Sequence, residues 1–183
     1  MDNEMLDNLE YIPDGGALMY QGIRYLLIRP ETIIELQKVM ETELGVEKLG
    51  YALYQAGYKG GSLSAEKFRT EQSLSPQEIV RFMATMGGQL GWGRMEVDQM
   101  NPDDGTFEME VYHSVFAEAY GVANFPVCHL IRGVFAGTWG GAIDREIMGL
   151  ETRCRAVEGP GPCKFIFTPS SRDSSLNVPF DPS

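Results

Sequence analysis

Three cysteines and one glutamate near the C-terminal end constrain this chain more than any other feature. The residues are Cys128, Glu151, Cys154 and Cys163, separated by 23, 3 and 9 positions, and they include every cysteine of the sequence. Three soft thiolates and one carboxylate form a four-ligand set that suits tetrahedral zinc. Because a full set leaves no position for water, a metal held here would be structural rather than catalytic.

The spacing of these residues does not by itself require a metal. Free cysteine is commonly buried as a small apolar residue, and Cys-x8-Cys is not a standard zinc-finger spacing. A disulfide is less favoured, because three cysteines would leave one unpaired and the acidic start Met1-Asp2-Asn3-Glu4 does not resemble a secretory signal. The sequence therefore predicts reduced thiols and a cytoplasmic protein.

The overall composition predicts one globular domain. Hydrophobic residues make up 43% of the chain, and no run of them approaches the roughly 20 residues of a membrane-spanning helix. The net charge of −11 argues against binding nucleic acid through a basic surface. Ten methionines and 21 glycines suit an adaptable apolar cavity, although a loosely specified core accounts for them equally well.

Hydrophobic periodicity, caps and turn signals predict the order of elements. In the first half they predict a flexible N-terminus at 1–16, a strand or hairpin at 17–28, a helix from Pro30 to Gly45, a helix ending at Gly60-Gly61, a short helix at 64–71 and a helix starting at the capping box Ser75-Pro76-Gln77-Glu78. In the second half they predict a hairpin of 91–100 and 106–112, a short helix at 114–120, a long helix at 126–147, strands at 150–158 and 163–168, and a disordered tail at 169–183.

This order predicts an α+β domain over residues 17–168, with an antiparallel sheet of about four to five strands and helices on one face. Gly133, Gly137 and Gly141 recur every four residues on the long helix. Since each glycine costs roughly 1 kcal/mol of helix stability, the smooth face they create must serve a purpose. It would admit another helix, including one from a second copy, or make room for a ligand.

Several motifs resemble known families. In the second half, the segment Tyr112 to Ala119 (YHSVFAEA), Cys128 followed by Gly133 and Gly137, and Glu151-x-x-Cys154-x8-Cys163 resemble the vinyl-4-reductase domain family. In the first half, Arg24-Tyr25-Leu26-Leu27-Ile28, Gly57-Tyr58-x-x-Gly61 and Gly91-Trp92-Gly93 are similar to the sensor domains of aromatic-responsive bacterial transcription activators. The resemblance covers residues 17 to 168, and the C-terminal motif is its most specific part.

The resemblance implies a fold similar to transport-particle subunits and haem-based nitric oxide sensors, with a structural zinc beside a buried pocket for phenol-like or toluene-like ligands. Carried onto this sequence, the zinc ligands are Cys128, Glu151, Cys154 and Cys163. Because such a site is negatively charged, the basic residues nearest in sequence, Arg132, Arg153, Arg155 and Lys164, are candidates to offset its charge, with ordinary solvated charges as the competing interpretation. The residues expected to line the pocket are Trp92, Phe107, Tyr112, His113, Phe116 and Tyr120, for which plain core packing is the competing interpretation.

We therefore expect a zinc-stabilised sensor or carrier domain for a small hydrophobic or aromatic molecule, acting as a homodimer. The activators continue into an ATPase domain and a helix-turn-helix, so we expect a separate protein to supply the output here. One alternative is an enzyme or accessory factor in tetrapyrrole vinyl reduction, but no dinucleotide-binding loop or catalytic set stands out. Another is a structural adaptor whose cavity is filled by side chains or lipid.

Overall fold

The computed structural model describes residues 3–170, and most of the predicted tail, residues 171–183, lies outside the described residues. In chain order the elements are α1 (Glu4–Asp7), β1 (Glu10–Ile12), a 3-10 turn (Pro13–Gly15), β2 (Ala17–Tyr20), β3 (Ile23–Tyr25), α2 (Pro30–Leu44), α3 (Val46–Gln72), α4 (Pro76–Gln89), β4 (Arg94–Asn101), β5 (Thr106–Tyr112), α5 (Val115–Tyr120), α6 (His129–Ile143), β6 (Ile147–Arg153), α7 (Arg155–Glu158) and β7 (Cys163–Pro169). Within this part of the chain, no helix is both long and apolar enough to cross a membrane.

The strands form two antiparallel sheets, with the orders β1-β2-β3 and β4-β5-β7-β6. This confirms the predicted α+β class, although the sequence predicts a single sheet. The first strands pair locally because Gln21 and Gly22, with φ of 47° and 71°, form the two-residue turn that best matches strand twist. Three consecutive helices then separate this small sheet from β4 along the chain.

Residues 3–16 adopt regular structure, whereas their polarity predicts a flexible segment. The Met5 side chain is buried, and its backbone N–H donates to the side-chain oxygen of Gln89 at 2.9 Å. The Asn3 side chain donates to the Gln89 carbonyl at 3.0 Å. These contacts attach α1 to the end of α4.

Helices α3 and α6 pack backbone to backbone, and glycines make that approach possible. A Cβ built on Gly61 would lie 2.0 Å from the Val134 carbonyl oxygen, and one on Gly137 would lie 2.0 Å from the Tyr58 carbonyl oxygen. The glycine face of α6 therefore packs on α3 of the same chain. Gly61 lies inside α3, where it allows the close approach of α6, and it does not end a helix. Helix α3 is therefore one helix of 27 residues, not the two that the sequence predicts.

The second sheet buries one face against α6. Phe107 of β5 stacks on Phe167 of β7 with 4.1 Å between ring centroids, and its ring also meets Trp139 of α6 edge-on at 5.5 Å. The opposite face of β5 carries Glu108 and Glu110. This alternation of apolar and charged side chains is the pattern that the sequence predicts for a strand with one face in water.

Helix α6 and strand β6 are shorter than the sequence predicts. Helix α6 ends at Ile143 because Asp144 adopts a left-handed conformation, with φ of 55°. Strand β6 ends at Arg153, where the predicted strand would continue to residue 158. The chain instead turns into α7, and the Cys154 N–H donates to the Glu158 carboxylate at 3.2 Å.

Candidate metal centre

The four residues predicted as metal ligands come together at one end of the second sheet. Cys128 directly precedes α6, Glu151 lies on β6, Cys154 directly precedes α7, and Cys163 begins β7. Each offers one sulfur or oxygen atom, and these atoms lie within 4.8 Å of one another. Four side chains from four elements thus converge on a volume the size of one coordinated ion.

All four side chains are buried, so their negative charges must be neutralised by protons or by a cation. Burial, reinforced by the nearby Cys154, raises the pKa of Glu151 to about 9. Hydrogen bonds with Cys154 and Cys163 raise the pKa of Cys128, whereas hydrogen bonds from Cys128 and Cys154 lower the pKa of Cys163 to about 4. By themselves these groups share protons, since four negative charges at this spacing would repel each other. A bound cation would replace those protons and allow all four groups to ionise.

The geometry fits a tetrahedral metal ion. One oxygen of Glu151, Oε2, accepts the Cys128 N–H at 3.1 Å, while the buried Oε1 has no hydrogen-bond partner among residues 3–170. A buried carboxylate oxygen needs a partner, and a metal ion would provide it. The Sγ atoms of Cys128 and Cys163 are 3.8 Å apart. Two thiolates on one tetrahedral zinc ion, each at about 2.3 Å, would be separated by about 3.8 Å.

Two hydrogen-bond donors approach the sulfur atoms from outside the set. The Ser114 hydroxyl lies 3.4 Å from the Cys128 sulfur, and the Arg155 N–H donates to the Cys163 sulfur at 3.3 Å. Such donors orient thiolate ligands and offset part of their negative charge. Ser114 is fully buried, and the sequence motif around it does not by itself indicate this role.

Arg153 fixes the loop that joins the last two ligands. Its guanidinium donates to the carbonyl oxygens of Gly159 and Pro160, at 3.2 and 2.8 Å, and to that of Pro162. Gly161 has φ of 126°, a backbone conformation that favours glycine, and a Cβ at that position would lie 2.9 Å from the guanidinium. Arg153 therefore sets the distance between Cys154 and Cys163 by hydrogen bonding as well as by charge.

The other predicted basic neighbours differ in their surroundings. Arg132 is half-buried, and its guanidinium lies 4.8 Å from the centre of the Tyr54 ring. Burial lowers the pKa of Arg132, while the negative charges of Glu151 and Cys128 counteract the shift. Lys164 instead points to the outer face of the sheet, where it pairs with Glu110 at 2.5 Å.

His129, which follows the first ligand, is not part of the cluster. Its ring lies against α3, where a Cβ on Gly50 would approach the ring to 2.9 Å. Burial lowers the pKa of His129 to about 4, so the ring is neutral near pH 7. Its Nε2 atom is buried without a hydrogen-bond partner in the described part of the chain.

Three of the predicted pocket residues lie on the inner side of the fold. Trp92 and Phe116 meet edge-on with 5.7 Å between their ring centroids, and Phe107 is fully buried in the stack described above. The sequence does not single out Trp139 for a role in binding. Its indole N–H is nevertheless fully buried and, within residues 3–170, finds no acceptor.

The other three predicted pocket residues make polar contacts nearer the surface, and of these Tyr120 also packs against the core. Tyr112 lies one position beyond the buried Val111, so it faces outward, where its hydroxyl donates to Glu110 at 2.7 Å. The side chain of His113 is 75% exposed, and its Nδ1 atom lies 3.0 Å from the Glu118 carboxylate. Tyr120 donates to Glu41 of α2 at 2.6 Å and so joins two helices.

Two clefts in the described part of the chain are open to the surface. One, of about 490 Å³, lies between the start of α4 and the end of β4, and the other, of about 420 Å³, lies on the outer face of the second sheet. Neither includes any of the predicted pocket residues.

Two family models divide the chain between them. Residues 4–103 match the family described as activator of aromatic catabolism, which is more than half of the sequence. The chain belongs to this family. Residues 107–169 match the vinyl-4-reductase domain and contain all four candidate ligands. Both resemblances predicted from the sequence motifs are thereby confirmed, whereas no curated protein sequence matches the chain.

Three solved structures show what fold this chain is similar to. The phenol-responsive sensory domain of the transcription activator PoxR, crystallised with phenol, superposes with a TM-score of 0.78 at 22% identity, over 91% of this chain and 87% of that one. A vinyl-4-reductase family protein from Methanocaldococcus jannaschii gives 0.57 at 15% identity, over 80% and 85%. A trafficking protein particle complex subunit 3 from Naegleria fowleri, covalently bound to palmitic acid, gives 0.52 at 13% identity, over 78% and 95%. At these identities the likeness establishes the fold, including the predicted similarity to transport-particle subunits.

Proposed function

We propose that residues 17–168 form a single sensor or carrier domain that binds a small hydrophobic or aromatic molecule and is stabilised by a structural zinc ion. The observation that carries the proposal is the likeness to the phenol-responsive sensory domain, which extends over 91% of this chain together with the family match. Membership in a family named for aromatic catabolism favours an aromatic ligand over other apolar molecules.

The ligand would bind between α4, α6 and the buried face of the second sheet. Methionines are frequent in this part of the core, where Met83, Met86 and Met109 are all buried. Methionine side chains adapt their shape easily, so they can move aside for an aromatic ring. The unpaired indole N–H of Trp139 would then meet a hydrogen-bond acceptor on the ligand, since a buried donor without a partner costs roughly 1–3 kcal/mol.

Zinc in this proposal has a structural role. Three thiolates and one carboxylate fill a tetrahedral shell, so the ion would tie the start of α6 to the β6–β7 hairpin rather than activate water. The chemistry of the donor set favours zinc over harder cations. The domain would act as a homodimer and pass its signal to a separate output protein.

Ligand-dependent stabilisation tests the proposal. Thermal unfolding of the zinc-loaded protein would be followed with increasing phenol and, separately, toluene. Saturable binding should stabilise the fold by about 2.7 kcal/mol at a ligand concentration of about 100 times Kd. Trp139→Phe should weaken phenol binding more than toluene binding, because only phenol carries an oxygen. His113→Gln, on an exposed side chain, is the matched control and should bind both ligands as the wild type does.

A structural adaptor remains the second candidate, and one observation favours it. Phe107, Phe167 and Trp139 pack against one another in the interior, while two clefts lie on the outside. If neither aromatic compound changes the unfolding temperature, and native mass spectrometry of gently purified protein detects no retained small molecule, the ligand-binding proposal fails in favour of the adaptor.

A further inference from the structure

The outer face of the second sheet carries like charges opposite one another. Glu96 of β4 lies directly across from Glu110 of β5. Two positions further along, Asp98 lies across from Glu108. Like charges in directly opposed positions destabilise a pair of strands, whereas opposite charges stabilise it. We call these four carboxylates the acidic array, and its arrangement lowers the stability of the domain on its own.

Two basic side chains lie against the acidic array and offset half of it. Arg94 pairs with Glu96, and Lys164 pairs with Glu110. Within residues 3–170, the other two carboxylates, those of Asp98 and Glu108, form no salt bridge. This end of the array therefore offers two carboxylates to cations of another molecule.

An apolar strip borders the acidic array on the same face. Ile166 of β7 lies next to Glu108 on one side and opposite Leu150 of β6 on the other. Met148 lies two positions before Leu150, so it shares this face. The residues Ile166, Leu150 and Met148, which we call the apolar strip, are 37%, 56% and 36% exposed. The boundary between acidic and apolar side chains thus runs along the strands, between β5 and β7.

The shape of this face suits a helix. The acidic array and Ile166 line the outer cleft of about 420 Å³. Strand β7 has seven residues and is about 23 Å long at roughly 3.3 Å per residue. A helix of about 15 residues has the same length, at about 1.5 Å per residue. Laid along β7 with its apolar stripe on the apolar strip, such a helix would place one of its borders over the acidic array.

The charge of the face determines which occupant it fits. A second copy of a chain with net charge −11, a nucleic acid or an anionic membrane would each bring negative charge to the acidic array and be repelled. Residues 171–183 contain one arginine and two aspartates, so they do not complement the array either. A basic, partly apolar segment of a different protein matches both halves of the face.

We propose that the outer face of the second sheet binds an amphipathic helix of a partner protein, about 15 residues long, whose apolar stripe is bordered on one side by lysine or arginine. The inference rests on the proposed separate output protein and specifies the chemistry of its contact segment. It does not depend on which small molecule the domain binds. Cations of the partner would reduce the repulsion within the acidic array, so binding would recover the stability that the array costs.

Fluorescence anisotropy of two labelled peptides with the zinc-loaded protein tests the inference. One peptide of about 15 residues carries leucine at helical spacing with lysine along one border, and the other has the same residues in scrambled order. The protein should bind the ordered peptide about tenfold more tightly or better, because only that peptide presents both surfaces together. Leu150→Ser should weaken this binding about tenfold. Leu63→Ser is the matched control, on a side chain of α3 that is 52% exposed, and should have no effect.

A charge exchange tests the acidic array separately, at about 0.15 M salt, where distant charges are screened. Asp98→Lys combined with Glu108→Lys should weaken binding of the lysine peptide about tenfold and allow binding of a matched peptide with glutamate in place of lysine. Glu47→Lys combined with Glu66→Lys changes the net charge equally, but on exposed positions of α3. This control should bind both peptides as the wild type does.

Two results would overturn the inference. They are equal binding of the ordered and scrambled peptides, and equal losses in the two double variants, since either means that overall charge alone attracts the peptide. Stabilisation by phenol is measured in the same preparations. Absence of peptide binding in a protein that phenol stabilises would contradict this surface and leave the sensor proposal intact. Specific peptide binding by a protein that phenol does not stabilise would support this surface and contradict the sensor proposal.

Discussion

Gly60 and Gly61 are neighbours in α3, yet we expect the same substitution to have opposite effects at the two positions. A Cβ at Gly60 would meet nothing within 4 Å, whereas one at Gly61 would meet the backbone of α6. Alanine is favoured over glycine inside a helix by about 1 kcal/mol. Gly60→Ala should therefore raise the free energy of unfolding by about that amount.

At Gly61 the steric cost outweighs this gain. The new methyl group would lie 2.0 Å from the Val134 oxygen and 2.8 Å from the Thr138 nitrogen. Both are backbone atoms of a helix, so they cannot rotate away, and α3 and α6 must separate by roughly 1 Å to restore ordinary contact. Overpacking of this kind costs about 3 kcal/mol, so after the helix propensity gain of about 1 kcal/mol we expect a net loss of about 2 kcal/mol.

Urea unfolding of the two variants in zinc-containing buffer measures the difference directly. The free energies of unfolding should differ by about 3 kcal/mol in favour of Gly60→Ala, which corresponds to roughly 6–12 °C in Tm for a chain of this size. The dependence on urea should be the same for both, because the surface exposed on unfolding does not change. Equal stability of the two variants would refute the backbone contact between α3 and α6.

Three further outcomes are expected. Cys154→Ala should lose bound zinc, measured by elemental analysis, and unfold the domain; a folded, monodisperse variant would contradict the structural role of the metal. Arg153→Met should lower zinc affinity about 10–100-fold in competition with a chelator, and Arg153→Lys should recover part of it, whereas Lys164→Met on the outer face should have no effect. Ser75→Ala should cost about 1 kcal/mol at pH 7. Hydrogen bonds from Ser75 lower the pKa of Glu78, so the capping box stabilises the fold above pH 4.5 and this contribution disappears in more acidic solution. If Ser75→Ala lowers the free energy of unfolding equally at neutral and strongly acidic pH, this role of the ionised Glu78 is contradicted.

Local sequence signals predicted those elements whose ends are determined by the residues at the ends, not by neighbouring elements. Helix α2 runs from Pro30 to Leu44 as predicted, because proline at the first position and glycine after the last one act on their own backbone. The capping box at Ser75 and Glu78 is formed for the same reason. The prediction of a helix end at Gly60-Gly61 was wrong, because a glycine pair looks the same whether it stops a helix or admits a neighbouring one.

The candidate metal centre was the most predictable part of the site. Cysteine is rare in this chain, so the spacing of Cys154 and Cys163 is informative in the sequence alone. The pocket residues were less predictable. Tyr112 is the last residue of β5, and the alternation of the strand places it on the outer face with Glu108 and Glu110, a signal that the motif-based expectation did not use. The Trp139 indole has no sequence signature, since its unpaired N–H depends on every group around it.

The contact between α3 and α6 has a mechanical consequence. Where two helices meet backbone to backbone, as at Gly61 and Gly137, a rotamer change cannot relieve the contact, so we expect the pair to resist sliding and opening. We expect α3 and α6 to move together as one rigid unit. A conformational change caused by a ligand would then affect the elements that side-chain contacts hold in place. Helix α2 is held through Gln37, Glu41 and Tyr120, so we expect its tilt to require the least free energy.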